Sequence, residues 1–223
     1  MIPGIGISGQ EKLKRAKVLV VGAGGLGCPL LQYLTAAGIG KIGIVEFDVV
    51  DESNLQRQIL YGSDDVGKLK SVIAEEKLRK MNSLVELEIY NLKLDASNSQ
   101  AVLKEYDLVA DATDNIESRY VISDACASLG IPMVHGAIFK YEGIVSVFNY
   151  NGGPAYSSYN PRNKAEFKNP SPQDVGLFGI LPGITGTYMA NEIIKIIAGN
   201  GEVLSGKVLL INILNNTFNI FKI

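Results

Sequence analysis

The stretch Val18-Leu19-Val20-Val21-Gly22-Ala23-Gly24-Gly25-Leu26-Gly27 decides the fold of this chain. Its apolar first part is typical of a buried strand, the glycine-rich part predicts a tight turn, and the amphipathic residues from Pro29 to Leu34 predict a helix. Glycines let phosphate oxygens approach main-chain N–H groups, and the start of a helix adds a partial positive charge. The stretch therefore predicts a site for a phosphate-bearing nucleotide.

Strand and helix patterns continue to alternate after this turn, which indicates a parallel sheet with helices on both faces. Strands are predicted over residues 17–21, 41–47, 85–90 and 108–112, and helices over 26–37, 68–81 and 118–129. The second half predicts strands over 132–139 and 143–150, a helix over 184–198, and a hairpin of 208–214 with 217–223 around Asn215-Asn216. The predicted fold class is α/β, a Rossmann-like mixed sheet that is parallel in its first half and antiparallel in its second.

We expect residues 1–223 to form a single nucleotide-binding domain, since this length suffices for one large core. One segment stands apart, because residues 152–183 contain five prolines and many Ser, Asn and Lys residues. It is predicted to be a long crossover loop, and loops of this length inside a domain are usually functional or disordered.

The composition excludes several classes of protein. Lys and Arg (21) nearly balance Asp and Glu (23), so nothing supports nucleic acid as a partner. Two cysteines, Cys28 and Cys126, and one histidine, His135, are too few for a disulfide framework or a Cys/His zinc cluster. We expect both cysteines to be small buried residues and His135 to be structural. No signal peptide and no apolar run of the ~18 residues needed for a membrane span is present, which predicts a cytoplasmic protein without a membrane partner.

Charged and polar residues follow the predicted strands at one edge of the sheet. Glu46 ends the second strand at the spacing of about 20 residues where an acidic side chain binds ribose hydroxyls. Asn54, Arg57 and Lys70 come just beyond the same strand, and Asp114, after a later strand, can hold Mg²⁺. Hydride transfer needs no such cations, whereas attack on a nucleotide phosphate does, because negative charge spreads over the phosphoryl oxygens.

Three segments resemble one known family: Gly22-Ala23-Gly24-Gly25-Leu26-Gly27-Cys28-Pro29, Ser53-Asn54-Leu55-Gln56-Arg57-Gln58 and Asp111-Ala112-Thr113-Asp114-Asn115. They are similar to the ThiF/MoeB adenylyltransferases, relatives of the ubiquitin-activating enzymes, and the resemblance covers nearly the whole chain. It implies a homodimer that uses Mg·ATP and releases pyrophosphate. It also implies the partner: a small ubiquitin-like sulfur-carrier protein (ThiS/MoaD type) ending in Gly-Gly, whose C-terminal carboxylate becomes an acyl-adenylate for thiamine or molybdenum cofactor biosynthesis.

The resemblance also implies a role for individual residues. Asn54, Arg57 and Lys70 match the residues that bind the triphosphate, and Asp114 matches the Mg²⁺ aspartate; these four form the expected catalytic set. Glu46 matches a ribose-binding position that is usually Asp. The expected nucleotide-binding set is Gly22, Gly24, Gly25, Gly27, Glu46, Asp48 and Gln58. Because the carrier's carboxylate is itself the nucleophile, positioning and charge neutralisation suffice, and no catalytic histidine is needed.

The chain departs from the family in three places. Residues 169–174 contain no cysteine, which gives no support for a covalent thioester or persulfide step there and leaves adenylation unaffected. Residues 155–158 lack the first C-x-x-C pair, so no zinc site is predicted. The family's Arg-Tyr-x-Arg-Gln segment, which reaches the partner's ATP, has no counterpart before Ile2-Pro3-Gly4; if that arginine is absent, slow turnover is expected.

These departures motivate a second hypothesis, a nucleotide-binding scaffold with reduced or lost turnover. An NAD-dependent oxidoreductase on the same fold is a third, and ATP-dependent activation of a carboxylate on tRNA or a peptide is a variant of the first. ATP binding without pyrophosphate release would favour the scaffold, and a titration with NAD would test the oxidoreductase.

Overall fold

The computed structural model describes residues 5–162 and 176–223. Its strands are β1 (Lys17–Val21), β2 (Lys41–Val45), β3 (Glu86–Tyr90), β4 (Leu108–Asp111), β5 (Met133–Phe139), β6 (Glu142–Phe148), β7 (Lys207–Asn212) and β8 (Thr217–Lys222). Its helices are α1 (Gly6–Arg15), α2 (Gly27–Ala37), α3 (Lys70–Met81), α4 (Ser99–Leu103), α5 (Ile116–Leu129), α6 (Tyr156–Tyr159) and α7 (Ile180–Ala198), with short 3₁₀ turns at Glu52–Asn54 and Ser63–Asp65.

All these strands join one sheet in the order β3-β2-β1-β4-β5-β6-β7-β8. Five strands, β3, β2, β1, β4 and β5, are parallel to one another. The pairs β5–β6, β6–β7 and β7–β8 are antiparallel. The predicted mixed sheet is therefore confirmed. The chain leaves β1 toward β2 on one side and later returns to β4 on the other, so a crevice opens at the carboxyl ends of β1, β2 and β4. Ligands of such sheets bind at this switch point.

Helices cover both faces of the sheet, as predicted. Leu30 and Leu34 of α2 share one buried cluster with Ile193 of α7. On the other face, Leu19 of β1 packs in a second cluster with Ile122 and Cys126 of α5. Because β1 is buried on both faces, its apolar residues run continuously instead of alternating with polar ones.

Most of the predicted elements are present, with shifted ends. The second strand stops at Val45, because the N–H groups of Phe47 and Asp48 donate to the Glu46 carboxylate instead of continuing a strand. The predicted boundary between the loop of 152–183 and the helix of 184–198 was wrong, because α7 begins at Ile180. Pro182 lies in the first turn of this helix, where proline is tolerated. Residues 163–175, with the loop positions 169–174, lie outside the described residues.

Three helices were not predicted: α1, α4 and the four-residue α6, which lies inside the predicted loop of 152–183. In α1 only Gly9 and Leu13 are buried, so its sequence lacks the apolar stripe that marks an amphipathic helix. Helix α4 has five residues, which is too short for periodicity to reveal.

Candidate functional site

The glycine-rich turn between β1 and α2 needs glycine at two positions for reasons of backbone geometry. Gly22 has φ +96°, and a Cβ there would lie 2.8 Å from the carbonyl oxygen of Ala112. At Gly27 a Cβ would lie 2.0 Å from the carbonyl oxygen of Gly22, so its absence lets α2 approach the turn. Gly24 and Gly25 are partly exposed and line a cavity at the carboxyl ends of the strands.

Side chains from other segments bind both main-chain groups of Ala23. Its N–H donates to Oε2 of Glu46 (2.8 Å), and its carbonyl oxygen accepts from the hydroxyl of Tyr61 (2.8 Å). Both hydrogen bonds are buried. Among the described residues, the N–H groups of Gly24 and Gly25 donate no hydrogen bond. These two donors are therefore open to phosphate oxygens.

Glu46 lies where the sequence predicts, directly after β2, but its carboxylate is already engaged by the main chain. Oε2 accepts from Ala23, and Oε1 accepts from Phe47 and Asp48 at 2.9 Å each. The side chain is buried. Charge-assisted hydrogen bonds of this kind are among the stronger ones in proteins, so Glu46 fixes the glycine turn to the end of β2. Ribose binding by Glu46 stays a prediction.

The segment between Asp48 and Lys70 forms a loop that is closed at its base. The N–H of Lys70 donates to the carbonyl of Asp48 (2.9 Å), and that of Val50 to Lys68 (2.8 Å). The Lys70 ammonium lies 3.3 Å from Oδ2 of Asp48 and is almost fully buried on the first residue of α3. The loop therefore places a lysine and an aspartate together at the cavity wall.

Arg57 and Gln58 also lie on this loop and line the cavity. Their N–H groups donate to the carbonyl of Asn54 (3.0 and 2.9 Å), and Nη1 of Arg57 donates to the carbonyl of Ser53 (2.9 Å). Asn54 itself is buried beneath them. Its amide oxygen accepts weakly from the N–H of Asp51 (3.4 Å), and the structure does not place it among the residues that line the cavity.

A second turn, between β4 and α5, carries Asp114. Asp111, the last residue of β4, is fully buried. Its Oδ1 accepts hydrogen bonds from the N–H (3.1 Å) and the hydroxyl (2.6 Å) of Thr113. Its Oδ2 lies at a distance of 2.7 Å from Nδ1 of His135. Asp114 follows this anchored turn, is exposed and lines the cavity. The side chain of Asn115 then caps α5.

The Asp111–His135 pair is buried away from water, and this sets both pKa values. Burial lowers the pKa of His135, an effect that outweighs its hydrogen bond to the carboxylate. Burial acts to raise the pKa of Asp111, but the hydrogen bond from His135 and the charge of Arg119 bring it below the usual value. Neutral His135 therefore donates from Nδ1 to an ionised Asp111, and its predicted structural role fits this geometry.

Both cysteines are fully buried free thiols, as predicted. Burial raises the pKa of Cys28 to about 12, and it also raises the pKa of Cys126. Neither thiol is poised for nucleophilic chemistry, since the thiolate is the reactive form.

The cavity has a volume of about 620 Å³ and gathers most of the predicted site. It is lined by the predicted residues Gly22, Gly24, Gly25, Glu46, Asp48, Arg57, Gln58, Lys70 and Asp114. Asn54 and Gly27 support its walls from behind. Sequence analysis missed three cationic residues of the lining, which are Lys93, Arg119 and Lys140. Only Arg119 had a sequence signal, since it lies one turn into the helix that follows Asp114.

The donor set suits magnesium held partly by a nucleotide. In the described ranges, 5–162 and 176–223, no three His, Cys, Asp or Glu residues cluster as a metal site. Asp114 is one exposed carboxylate that lines the same cavity as the glycine-rich turn. Mg²⁺ commonly binds through one or two carboxylates together with substrate phosphates and water, so a single carboxylate fits.

Within the part of the chain that the structure describes, no helix combines the length and the apolar character that crossing a bilayer requires.

Known proteins resemble this chain in both sequence and fold. The sequence matches the ThiF family over residues 1–223. The chain belongs to the ThiF family. It is 48% identical over 227 residues to the "Probable molybdopterin-synthase adenylyltransferase" of Porphyra purpurea, covering 100% of this chain and 59% of that protein. It is 45% identical over 223 residues to the "Sulfur carrier protein adenylyltransferase" of Thermus thermophilus, covering 98% and 82%.

A third ThiF relative, "Adenylyltransferase and sulfurtransferase MOCS3" of Xenopus laevis, is 40% identical over 223 residues, and this chain spans 49% of its length. The chain thus spans between about half and four fifths of the length of these curated relatives. Among solved structures, E. coli MccB with ATP has a TM-score of 0.85 at 23% identity, covering 97% of this chain and 66% of that one. The TM-score of 0.85 shows that the two chains share a fold.

Proposed function

We propose that this ThiF-family chain is an ATP- and Mg²⁺-dependent adenylyltransferase that activates the C-terminal glycine carboxylate of a ubiquitin-like sulfur-carrier protein. The observation that carries the proposal is the gathering of open glycine N–H groups, Arg57, Lys70 and Asp114 in one cavity. The names of relatives at 45–48% identity support the same activity.

In the proposed reaction, a carboxylate oxygen of the carrier attacks the α-phosphorus of ATP. A new P–O bond forms, the bond from the α-phosphorus to the oxygen bridging to the β-phosphorus breaks, and pyrophosphate leaves with that electron pair. The N–H groups of Gly24 and Gly25 and the side chains of Arg57 and Lys70 offset the charge of the phosphates. Mg²⁺, held by Asp114, would supply further charge neutralisation at the phosphates.

This chemistry needs no general base. The carrier's carboxylate is ionised at neutral pH, since an α-carboxyl group has a pKa near 3.5. The enzyme's contribution is to hold two anions, the carboxylate and the α-phosphate, in line and within reach of each other. A cavity with several cations and buried main-chain anchors suits that task.

The carrier's tail has a candidate path along the other wall of the cavity, where Ala137, Ile138, Ile144 and Leu210 of β5, β6 and β7 line an apolar surface. A tail ending in Gly-Gly has no side chains at its last two positions and can approach the phosphates closely. We expect the Gly-Gly end to reach the α-phosphate from this side.

The name of the Porphyra relative favours a carrier of the molybdopterin-synthase type. The carrier of thiamine biosynthesis, which the resemblance also implies, is the second candidate. Side-by-side assays with the two carriers would rank them.

The decisive experiment is ATP–pyrophosphate exchange with a purified carrier that ends in Gly-Gly, using the same carrier without its last two residues as control. We expect exchange with the intact carrier only, and an adenylated carrier detectable by mass spectrometry. ATP binding without exchange for either carrier would support the nucleotide-binding scaffold instead, and binding of NAD in place of ATP would support an oxidoreductase.

The homodimer and the cytoplasmic location stay predictions that rest on the resemblance and on composition. Light scattering of the purified chain would test the first, with a mass near twice 24.0 kDa expected.

A further inference from the structure

Tyr61 is buried, with 6% of its surface exposed, and it lies three residues after the segment Ser53–Gln58. Its N–H donates to the carbonyl of Gln58 (3.0 Å), so it is rigidly connected to the turn that carries Arg57 and Gln58. Its hydroxyl donates to the carbonyl of Ala23 in the glycine turn, 38 residues earlier in the chain. Tyr61 is thus a direct link between the two segments that form the phosphate side of the cavity.

The position of this hydrogen bond fixes the orientation of a peptide plane. In a trans peptide, the C=O of one residue and the N–H of the next point in opposite directions. The Ala23 carbonyl is held in the protein interior by Tyr61, so the N–H of Gly24 projects to the opposite side, where Gly24 lines the cavity. Glu46 fixes the preceding plane by accepting the Ala23 N–H.

We propose that Tyr61 is a positioning residue for the nucleotide, which keeps the Ala23–Gly24 peptide in the orientation that offers an N–H, and not a carbonyl oxygen, to the phosphates. The inference rests on the proposed nucleotide site and goes beyond it, because Tyr61 does not line the cavity. Burial raises the pKa of the Tyr61 hydroxyl, so it stays protonated and remains a donor across the accessible pH range.

The alternative orientation explains why the hydroxyl matters. Without it, the Ala23 carbonyl keeps a single partner among the described residues, the thiol of Cys28 at 3.4 Å. The flexible Gly24 then permits the peptide to rotate and present an oxygen to an anionic ligand. Such a state binds phosphate poorly, and its population reduces the apparent affinity.

The test compares Tyr61→Phe with Tyr106→Phe by calorimetric titration of Mg·ATP. Tyr106 is a matched control: it is similarly buried, its hydroxyl also makes hydrogen bonds (to Glu88 and Tyr90, 3.1 Å each), and, like Tyr61, it is not among the residues that line the cavity. We expect Tyr61→Phe to weaken Mg·ATP binding roughly five- to tenfold, the equivalent of one hydrogen bond, and Tyr106→Phe to leave it within about twofold.

Thermal unfolding of both variants provides the second measurement. Each variant loses one buried hydroxyl, so the midpoints of thermal unfolding should fall by similar amounts in the two. A difference in nucleotide affinity between them then cannot come from a difference in stability. In the exchange assay, Tyr61→Phe should raise the KM for ATP with kcat retained. Wild-type affinity in Tyr61→Phe, or an equal loss in both variants, overturns the inference alone. Failure of the unaltered chain to bind Mg·ATP overturns the proposed function as well.

Discussion

The two walls of the cavity are built in different ways. On the wall formed by the glycine turn and residues 48–70, side chains tie the segments together: Glu46 accepts three main-chain N–H groups, Tyr61 binds the glycine turn, and Lys70 pairs with Asp48. On the wall formed by β5, β6 and β7, the lining is mostly apolar and is held by the hydrogen bonds of the sheet.

This difference suits the two ligands of the proposed reaction. A triphosphate carries a high negative charge on many acceptor oxygens, so binding it requires protein donors that are already in place. An extended peptide tail gains affinity from contact along its length and tolerates less exact placement. We therefore propose that the nucleotide binds at the first wall and the carrier tail at the second, and the variants below are designed to separate the two functions.

The largest expected effect comes from Asp114→Ala. Loss of the carboxylate that would hold Mg²⁺ should reduce carrier-dependent exchange by about 10³-fold, the scale seen when one preorganised electrostatic group is removed. Asp124→Ala is the control, because Asp124 lies on α5, the helix that follows the turn of Asp114, in an exposed ion pair with Arg162. Exchange that survives in Asp114→Ala would contradict the assigned metal role.

Arg57→Ala should lower kcat/KM for ATP by about 10²-fold, since one charge that neutralises the phosphates is removed while the loop keeps its other anchors. Arg79→Ala removes an exposed arginine that pairs with Glu75 on helix α3, and we expect no change in exchange from it. Equal loss in the two variants would mean that net charge, and not the position of Arg57, governs nucleotide binding.

Leu210→Asn tests the apolar wall. Leu210 is partly exposed on β7 and lines the cavity, so a polar side chain there should raise the KM for the carrier about tenfold and leave the affinity for Mg·ATP unchanged. Carrier titrations in the exchange assay and ATP calorimetry measure the two quantities. A fall in ATP affinity with an unchanged carrier KM would reverse the assignment of the walls.

The smallest effect concerns stability at the junction of the two walls, where Asp111 of β4 meets His135 of β5. The pKa of His135 is lower in the folded chain than its ordinary value of 6.5. As pH falls below 6.5, His135 is therefore protonated in the unfolded chain before it is protonated in the folded chain. The free energy of unfolding should therefore fall as pH drops below 6.5, by at most about 1.4 kcal/mol per pH unit from this group.

Asp111 acts in the same direction at lower pH. Its pKa is also lowered in the folded state, so its stabilising contribution is present above the unfolded value of about 3.8 and is lost as pH falls through the folded one. Urea unfolding at pH 7.5, 6.0 and 5.0 measures the effect of the histidine. In His135→Gln we expect a flatter dependence between pH 6.5 and 5.0, and an unchanged slope would show that other groups cause it.

The sequence predicted those features that depend on local pattern. The apolar run before Gly22, the alternation at residues 85–90 and the Asn215-Asn216 turn each carry their signal within a few residues, and β1, β3 and the final hairpin follow it. The convergence of Arg57, Lys70 and Asp114 was also predictable, because the carboxyl ends of parallel strands meet at one edge of the sheet.

Features that depend on long-range contacts were not predictable. The hydrogen bond from Tyr61 to Ala23 joins residues far apart in sequence, and nothing in the pattern around Tyr61 distinguishes it from an ordinary core tyrosine. The burial of Asn54 behind the cavity depends on how its 3₁₀ turn packs. The sequence placed Glu46 correctly after β2, but its hydrogen bond from the N–H of Ala23 was not predictable, because it depends on how close the glycine turn lies to the end of β2.

The contrast between neighbouring amides in the glycine turn also has a spectroscopic consequence. Ala23 has a bound, buried N–H, whereas those of Gly24 and Gly25 have no acceptor among the described residues. In deuterated water the first should exchange slowly and the next two rapidly, and a bound nucleotide should slow only the latter. Glycine amides resonate in a sparsely populated region of a ¹H–¹⁵N spectrum. The amide signals of Gly24 and Gly25 can therefore report whether a nucleotide is bound, without a chemical probe attached to the protein.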